Sequence, residues 1–277
     1  MIAFIGSVFS PYYRRARMRG HADPFNHCAI NAVLYGPRGK RWAMTERGAT
    51  RLERSATHFR IGRSQLTFAG DVLTISLDER CCPVPWPLRG TIRIQPHVVA
   101  HHTYDIHRNG RHQWRPIAPM ADISVSMEKP DLRWSGHGYC DHNRGSAPLE
   151  QDFAQWTWAR LATRHGSAIL YDTLQTDGDS VQLAIAHARD GHIGTIETPD
   201  FVPLPPTGWR IARQTRSEDA ASTTARTLED TPFYARSAIT ARLNGERVKG
   251  MHESLSLTRF ASPLVQAMLP FRMPRRA

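Results

Sequence analysis

The sequence contains no continuous apolar run that approaches the about 20 residues needed for a membrane-spanning helix. The apolar stretch at residues 1–8 is short, and the nearest arginines follow it. A secretory signal instead carries its positive charges before the apolar part. The pattern therefore predicts a protein without a transmembrane helix or a secretory leader, located in the cytoplasm or on a membrane surface.

Several local patterns that would indicate a cofactor or a known catalytic device are also missing. The four cysteines, Cys28, Cys81, Cys82 and Cys140, fit no zinc-site spacing, and a disulfide framework would be expected to use more of them. They are predicted to be free thiols. The glycine patterns of nucleotide-binding loops and the G-x-S-x-G turn of hydrolases do not occur. The sequence therefore argues against a nucleotide-dependent enzyme and against that class of serine hydrolase.

Lysine is rare, but arginine is abundant. Lys and Arg together number 36 against 25 acidic residues, which gives a formal charge of +11. Such a charge favours anionic partners. Arginines follow apolar stretches near both ends, at residues 14–19 and 272–276, a pattern that suits an anionic membrane surface. Solvated charged ends are the alternative. No motif of a nucleic-acid-binding fold accompanies the charge, so nucleic acid is not a predicted partner, and nothing indicates the oligomeric state.

Wherever a pattern is legible, apolar and polar residues alternate with the period of two that is typical of half-buried strands. The clearest runs are residues 73–78, 91–95, 180–185 and 233–241. The last run is followed by Asn244-Gly245, a strong hairpin signal, and residues 248–260 are predicted to be the returning strand. Residues 217–228 are predicted to be a helix or a loop. Short strands with frequent turns predict a mainly β fold, an antiparallel barrel or sandwich with few helices.

The length of 277 residues suggests two domains or one large β domain. A polar, turn-rich stretch at residues 144–148 is the candidate boundary. We therefore predict two β domains. Residues 1–145 would carry the catalytic motifs, and residues 146–277 would form a barrel-like C-terminal domain.

Two short clusters place reactive side chains on one face of a strand. His112 and Trp114 are two residues apart, as are Tyr139 and Asp141, so the members of each pair point to the same side. A carboxyl group in an apolar, aromatic pocket has a raised pKa, because burial disfavours its charged form, and it can then act as a general acid. Aromatic ring faces stabilise a nearby cation. An acid beside such rings has the chemistry needed to hydrate a double bond.

Other interpretations of these residues remain open at this level. Aromatic residues that alternate along a strand often belong to the core, and an Asp beside a His often caps a turn. A third cluster, Trp156-Thr157-Trp158, has no assigned role. A metal site is a further alternative, because histidines are concentrated at residues 97–112 and 137–142. No motif with fixed metal-ligand spacing occurs, so no metal is predicted.

Several longer motifs spread over the whole chain carry a resemblance to a known family. They are residues 3–13, 26–28, 42–48, 138–141, 156–158, 252–257 and 269–274. With these motifs the chain resembles the carotenoid 1,2-hydratases of phototrophic bacteria, also called hydroxyneurosporene synthases. The resemblance implies a lipocalin-like, mostly β architecture and the hydration of neurosporene or lycopene without a cofactor. It also implies that His112, Trp114, Tyr139 and Asp141 are the catalytic residues.

The resemblance further implies a course for the reaction. Asp141 is expected to protonate C2 of the terminal C1=C2 bond, and water then attacks the tertiary cation at C1, which Trp114 and Tyr139 stabilise. His112 would either activate the water or tune the acidity of Asp141. We also expect a long apolar tunnel for the substrate and peripheral association with the inner photosynthetic membrane. The alternative function is a non-catalytic, lipocalin-like carrier of a carotenoid or another apolar ligand.

Overall fold

The structure is a computed structural model that describes residues 1–36 and 39–276, and most of these residues lie in strands. The strands of the first half are β1 Ile2–Phe4, β2 Cys28–Gly36, β3 Gly39–Arg47, β4 Leu52–Arg54, β5 His58–Ile61, β6 Ser64–Ala69, β7 Val72–Arg80, β8 Pro87–Pro96, β9 Tyr104–Asp105, β10 His112–Lys129 and β11 Leu132–Gly145. Those of the second half are β12 Phe153–Thr163, β13 Gly166–Gln175, β14 Ser180–Ala188, β15 Ile193–Thr195, β16 Phe201–Leu204, β17 Arg213–Arg216, β18 Thr224–Asp230, β19 Tyr234–Leu243, β20 Glu246–Ser256 and β21 Arg275–Arg276.

The helices are short. They are α1 Pro11–Met18, α2 Leu149–Asp152, α3 Leu257–Phe260 and α4 Pro263–Arg272, with single 3₁₀ turns at Pro24–Asn26 and Ala49–Arg51. The start of α1 follows from its sequence, because the Ser10 hydroxyl accepts hydrogen bonds from the N–H groups of Tyr12 and Tyr13 and a proline occupies the first helical position. Within the described residues, no helix has both the length and the apolar character needed to span a bilayer.

The chain forms two compact units, each assembled from separate stretches of sequence. Unit 1 comprises residues 1–96, 121–138 and 266–277, and unit 2 comprises residues 97–120 and 139–265. Each unit therefore contains segments from both sides of residue 145. The division into domains 1–145 and 146–277 concerns which parts of the chain fold independently, and it stays a prediction.

Unit 1 contains a four-stranded sheet, in the order β1-β2-β3-β21, and an antiparallel series that runs from β4 to β8 and on to the second half of β10. Its core includes Ile30, Ile61, Leu77 and Val125. The two-residue strand β21 is parallel to β3, and the buried Glu46 of β3 forms an ion pair there with Arg275. This ion pair holds the C-terminal segment against β3.

Unit 2 is built around an antiparallel seven-stranded sheet in the order β15-β14-β13-β12-β20-β19-β18. Leu161 of β12, Leu170 of β13 and Ile239 of β19 are buried together in its core. Because β12 is central, side chains of β13 and β20 lie on either side of it, with Trp158 opposite both Tyr171 and Glu253. This register brings distant parts of the sequence to one place.

The mainly β, antiparallel class predicted from the sequence is confirmed. In residues 1–36 and 39–276 the strand orders are linear, so the sheets remain open and none closes into a barrel. The Asn244-Gly245 hairpin is confirmed, with both residues at positive φ as its turn type requires. The returning strand ends earlier than predicted, at Ser256, because the Ser256 hydroxyl caps α3. The segment predicted as a helix or loop, residues 217–228, instead ends in a strand, β18.

Candidate active site

The carboxyl group of Asp141 lies among aromatic side chains of unit 2. The indole N–H of Trp114, from β10, donates a hydrogen bond to Oδ2 of Asp141 at 2.9 Å. Trp114 is fully buried, whereas the Asp141 residue as a whole is half-buried, and its carboxyl group is enclosed by protein. The pair therefore joins the two strand clusters that the sequence singled out.

Burial is the main cause of a raised pKa for Asp141. The Trp114 N–H and the nearby Tyr139 hydroxyl oppose this rise, while the negative charge of Glu253 adds to it. Glu253 is itself neutralised by Arg236, whose Nε lies 2.9 Å from Oε1. In the described parts of the chain the groups that act on the Asp141 carboxyl are thus an indole, a phenol and a second carboxylate, and no cation is among them.

The Tyr139 hydroxyl is in hydrogen-bond contact with this carboxyl. The Trp158 ring lies 5.4 Å from the Tyr139 ring, and its buried indole nitrogen has no hydrogen-bond partner among the described residues. Burial raises the pKa of Tyr139 well above its ordinary value, and the neighbouring Asp141 carboxyl adds to the shift. Buried polar groups without a partner are unusual in proteins, because each costs free energy.

Further rings complete the surroundings of Asp141. Tyr171 meets the Trp114 ring edge to face at 5.6 Å, and Tyr104 packs against Trp114 at 5.5 Å. The Arg160 guanidinium lies 5.7 Å from the centre of the Tyr139 ring, and its Nε donates to the carbonyl of Pro119 at 2.9 Å. Burial lowers the pKa of this arginine. The arrangement supplies several ring faces close to one acid.

His112, the fourth predicted residue, has a different partner. Its Nε2 lies 2.6 Å from Oδ2 of Asp152, and Oδ1 of the same carboxylate accepts a hydrogen bond from Arg111. His107 approaches the same carboxylate at 4.0 Å, and the Phe153 ring packs 4.8 Å from the His112 ring. His112 and Asp152 are both almost completely buried.

The contacts of His112 determine which of its nitrogens carries the proton. Burial lowers the pKa of His112, and the attraction of Asp152 only partly opposes this, so the ring is neutral near pH 7. An ionised carboxylate only accepts hydrogen bonds, so Nε2 carries the hydrogen and Nδ1 the lone pair. Nδ1 faces Gly145, where an added Cβ would lie 2.2 Å from it. Gly145 therefore leaves the space that this ring orientation needs.

The structure thus brings Trp114, Tyr139 and Asp141 together and places His112 in a neighbouring group with Asp152. Sequence reasoning missed Asp152, Tyr171 and Glu253. Asp152 ends the four-residue helix α2, 40 positions from His112, and no local pattern indicates the pairing. Trp158 belongs to the third aromatic cluster of the sequence, which was the only signal that could have identified it.

Two cavities lie in unit 2. One, of about 240 Å³, is lined by Thr103, Gln113, Trp114, Arg115, His142 and Arg144. The other, of about 150 Å³, has a mainly apolar lining that includes Val98, Met120 and Ile193. The larger cavity reaches Trp114, whose indole N–H donates the hydrogen bond to Asp141. A long apolar tunnel stays a prediction. In the described residues no group of three or more His, Cys, Asp or Glu side chains is arranged to hold a metal ion.

Comparison with known proteins gives consistent relatives over the full length. The family model for carotenoid hydratase CrtC matches residues 1–277. An acyclic carotenoid 1,2-hydratase of Thiocapsa roseopersicina is 50% identical over 99% of this chain and 68% of its own length. Proteins of the same name from Rubrivivax gelatinosus and Rhodobacter capsulatus are 45% and 40% identical, each over 100% of this chain and over 69% and 98% of their own lengths.

Among solved structures, a candidate AttH protein from Nitrosomonas europaea resembles this chain with a TM-score of 0.58. The match covers 83% of this chain and 81% of that protein at 13% sequence identity. At so low an identity the likeness concerns the fold alone, and it agrees with the lipocalin-like architecture expected from the sequence.

Proposed function

This chain belongs to the carotenoid hydratase family CrtC and is a carotenoid hydratase, and we propose that Asp141 is the acid that starts its reaction. The observation that carries this assignment is the environment of the Asp141 carboxyl. It is buried among Trp114, Tyr139 and Tyr171, its pKa is raised, and it has no cationic partner in the described residues. A carboxyl group in such surroundings keeps its proton near neutral pH and can donate it.

The substrate is an acyclic carotenoid, and water is the second reactant. Asp141 donates its proton to C2 of the terminal C1=C2 bond, whose π electrons form the new C–H bond. The resulting tertiary cation at C1 is stabilised by the ring faces of Trp114 and Tyr139. Water attacks C1 and releases a proton to the Asp141 carboxylate, which restores the acid. The sum is one water added to one double bond, with no change in oxidation state of the protein and no cofactor in any step.

One buried donor close to the acid marks where the attacking water would bind. The Trp158 indole N–H has no partner among the described residues, and its ring packs 5.4 Å from that of Tyr139, whose hydroxyl contacts the Asp141 carboxyl. A water molecule bound there would satisfy this N–H next to Tyr139, the neighbour of the acid. The cavity that reaches Trp114 would admit the substrate tip and the water from the same side.

His112 acts in this scheme as a positioning residue. Its Nε2 is engaged by Asp152 and its Nδ1 faces Gly145, so neither nitrogen is directed at Asp141. The ring is two residues from Trp114 on β10, and Asp152 fixes that part of the strand through it. Activation of water by His112 is the alternative role, and hydration by the Gly145→Ala protein tests it.

The carrier alternative predicted from the sequence gives way to an enzyme, since the relatives of this chain are named as hydratases. Their name also supports the 1,2 position of the added water. Because the substrate is wholly apolar, it dissolves in membranes and not in water. We therefore propose that the protein works at the surface of an anionic membrane.

Substitution of Asp141 by Asn tests the proposal. Asparagine keeps the shape of the side chain but cannot donate a comparable proton, so the rate of lycopene hydration should fall by about 10²–10⁴-fold. Product formation by the purified protein, measured by chromatography, gives the answer. Asp172→Asn is the matched control, because Asp172 neighbours Tyr171 in sequence but pairs with Arg216. Near wild-type hydration by the Asp141→Asn protein would overturn the assignment.

A further inference from the structure

One surface of unit 1 exposes large apolar side chains. Phe271 is 78% exposed and Trp86 is 52% exposed, and Val84 lies between Trp86 and Cys82 in the same loop and is also exposed. A hydrogen bond joins this loop to the end of α4, since the Cys82 thiol donates to the carbonyl of Phe271 at 2.9 Å. Single exposed apolar residues are ordinary on protein surfaces. Here three of them lie on two segments that this hydrogen bond joins, and a group of exposed apolar residues is typical of an interaction site.

Two arginines lie directly on the aromatic rings of this group. The Arg41 guanidinium is 4.8 Å from the centre of the Trp86 ring, and that of Arg272 is 4.6 Å from the centre of the Trp42 ring. The Trp42 carbonyl accepts a hydrogen bond from the N–H of Cys82 at 3.0 Å, so both pairs belong to one surface. We call this surface the aromatic–arginine patch. It consists of Arg41, Trp42, Val84, Trp86, Phe271 and Arg272.

The charge of the patch has one sign. It contains two arginines and no acidic residue, and of the arginines at the ends of residues 80–89, Arg89 forms an ion pair with Glu128 outside the patch. Arg275, farther along the C-terminal segment, is by contrast neutralised by Glu46. The patch therefore combines exposed positive charge with exposed apolar surface at the same place.

A lipid bilayer with anionic headgroups complements both properties. Tryptophan rings partition to the interface between headgroups and acyl chains, and arginines bind the phosphate groups above them. Phe271 and Val84 would reach the apolar boundary below. An arginine that already stacks on a ring remains close to that ring when it binds phosphate, so little additional ordering is needed.

We propose that the aromatic–arginine patch docks this protein onto an anionic lipid bilayer. The proposal deepens the proposed function, on which it rests for its purpose, because a hydratase of an apolar polyene must collect its substrate from a membrane. It concerns a surface of unit 1, whereas the Asp141 site lies in unit 2.

Flotation of the full chain with lipid vesicles tests the docking itself. The wild type is expected to float with phosphatidylcholine vesicles that contain phosphatidylglycerol, and much less with pure phosphatidylcholine vesicles. The Arg41→Gln/Arg272→Gln protein should bind the anionic vesicles about thirtyfold more weakly, the effect of about 1 kcal/mol for each arginine. The Trp86→Ala/Phe271→Ala protein should bind about tenfold more weakly, because less apolar surface enters the bilayer.

Matched variants in unit 2 provide the controls. Trp209 is 48% exposed and Arg189 is also exposed, so Trp209→Ala and Arg189→Gln remove the same groups elsewhere. Both should bind like the wild type. Trp86→Phe should retain binding, and circular dichroism checks that every variant is folded. The proposal is wrong if the wild type does not bind anionic vesicles, or if the patch variants bind as well as their controls.

Activity separates a failure of docking from a failure of the catalytic assignment. The Trp86→Ala/Phe271→Ala protein should hydrate lycopene in detergent micelles at the wild-type rate and should be about tenfold slower with lycopene in anionic vesicles. Asp141→Asn should show a different pattern, with normal vesicle binding and hydration slowed by about 10²–10⁴-fold in both media. Equal losses by the patch variant in micelles and vesicles would show that the patch does not act through the membrane and would overturn the proposal.

Discussion

Two carboxyl groups of unit 2, those of Asp141 and Asp152, have opposite surroundings. Asp152 is paired with Arg111 and His112, which stabilise its ionised form. Asp141 has an indole, a phenol and a second carboxylate as neighbours, and burial raises its pKa. The same side chain is thus suited to hold a charge in one place and a proton in the other. The difference shows that the partners of a buried carboxyl, and not its burial alone, determine its chemical role.

Among substitutions in the surroundings of Asp141, those at Trp114 should have the largest effect on activity and stability. Trp114→Ala removes the ring and the N–H that bonds Asp141 and leaves a cavity, so we expect activity to fall by about 10³-fold and stability by about 3–5 kcal/mol. Trp114→Phe keeps a ring face and should lose only about tenfold in activity.

Hydration rates and denaturant midpoints of the two Trp114 proteins give the comparison. Trp209→Ala, at an exposed tryptophan of the same unit, should change neither value appreciably. If Trp114→Ala and Trp114→Phe lost activity equally, Trp114 would act through its N–H or its packing, and cation stabilisation by its ring would be excluded.

The same substitution, Asp to Asn, should change the free energy of unfolding in opposite directions at Asp141 and at Asp152. A raised pKa means that folded Asp141 binds its proton more tightly than the unfolded chain does, so its contribution to stability is lost as pH rises above about 4. Asp141→Asn should therefore stabilise the protein at pH 7, by about 1 kcal/mol or more. Asp152→Asn removes the charge that pairs with Arg111 and His112 and should destabilise it by about 3 kcal/mol.

Denaturant unfolding at pH 7 measures both values. At pH 4 the gain from Asp141→Asn should nearly vanish, because the unfolded chain then also binds the proton. Destabilisation by both substitutions at pH 7 would mean that Asp141 is ionised in the folded protein, and the contrast between the two regions would not exist.

A substitution at Gly145 tests only the group formed by Asp152 and His112, and it should have the smallest effect on stability. An alanine Cβ at this position would collide with Nδ1 of His112 and push the ring away from Asp152. We expect a loss of about 2 kcal/mol in stability. Gly136→Ala is the control on the same strand, because no atom lies within 4 Å of a Cβ there.

Hydration by the Gly145→Ala protein distinguishes the two roles of His112. A positioning residue should give a moderate loss of rate with an unchanged pH profile. A base that activates water should give a large loss and a profile whose acidic limb has disappeared. An unchanged rate and stability would remove His112 and Asp152 from the account.

The sequence allowed the fold class and part of the site to be predicted, for local reasons. Alternation with a period of two marked β7, β8 and β14, and a spacing of two residues placed Tyr139 and Asp141 on one face of β11. Such signals depend only on neighbours in the chain.

The residues of the site that the sequence did not predict depend on contacts between segments that are distant in the chain. Asp152 meets His112 through a four-residue helix that carries no helical periodicity, and Glu253 reaches the site because β20 pairs with β12. The end of β20 at Ser256 depends on a single hydroxyl that caps the following helix. None of these contacts can be inferred from spacing in one sequence, because register between strands is set by the packing of whole sheets.

The protonation state of Asp141 at pH 7 is the most direct test of the central claim. Infrared spectroscopy of the wild type and of Asp141→Asn, recorded at pH 7 and compared as a difference spectrum, isolates the signal of this side chain. The account predicts the carbonyl band of a protonated carboxylic acid in the wild type, absent from the variant. A carboxylate band in its place would contradict the account, because an ionised Asp141 has no proton to give to the substrate.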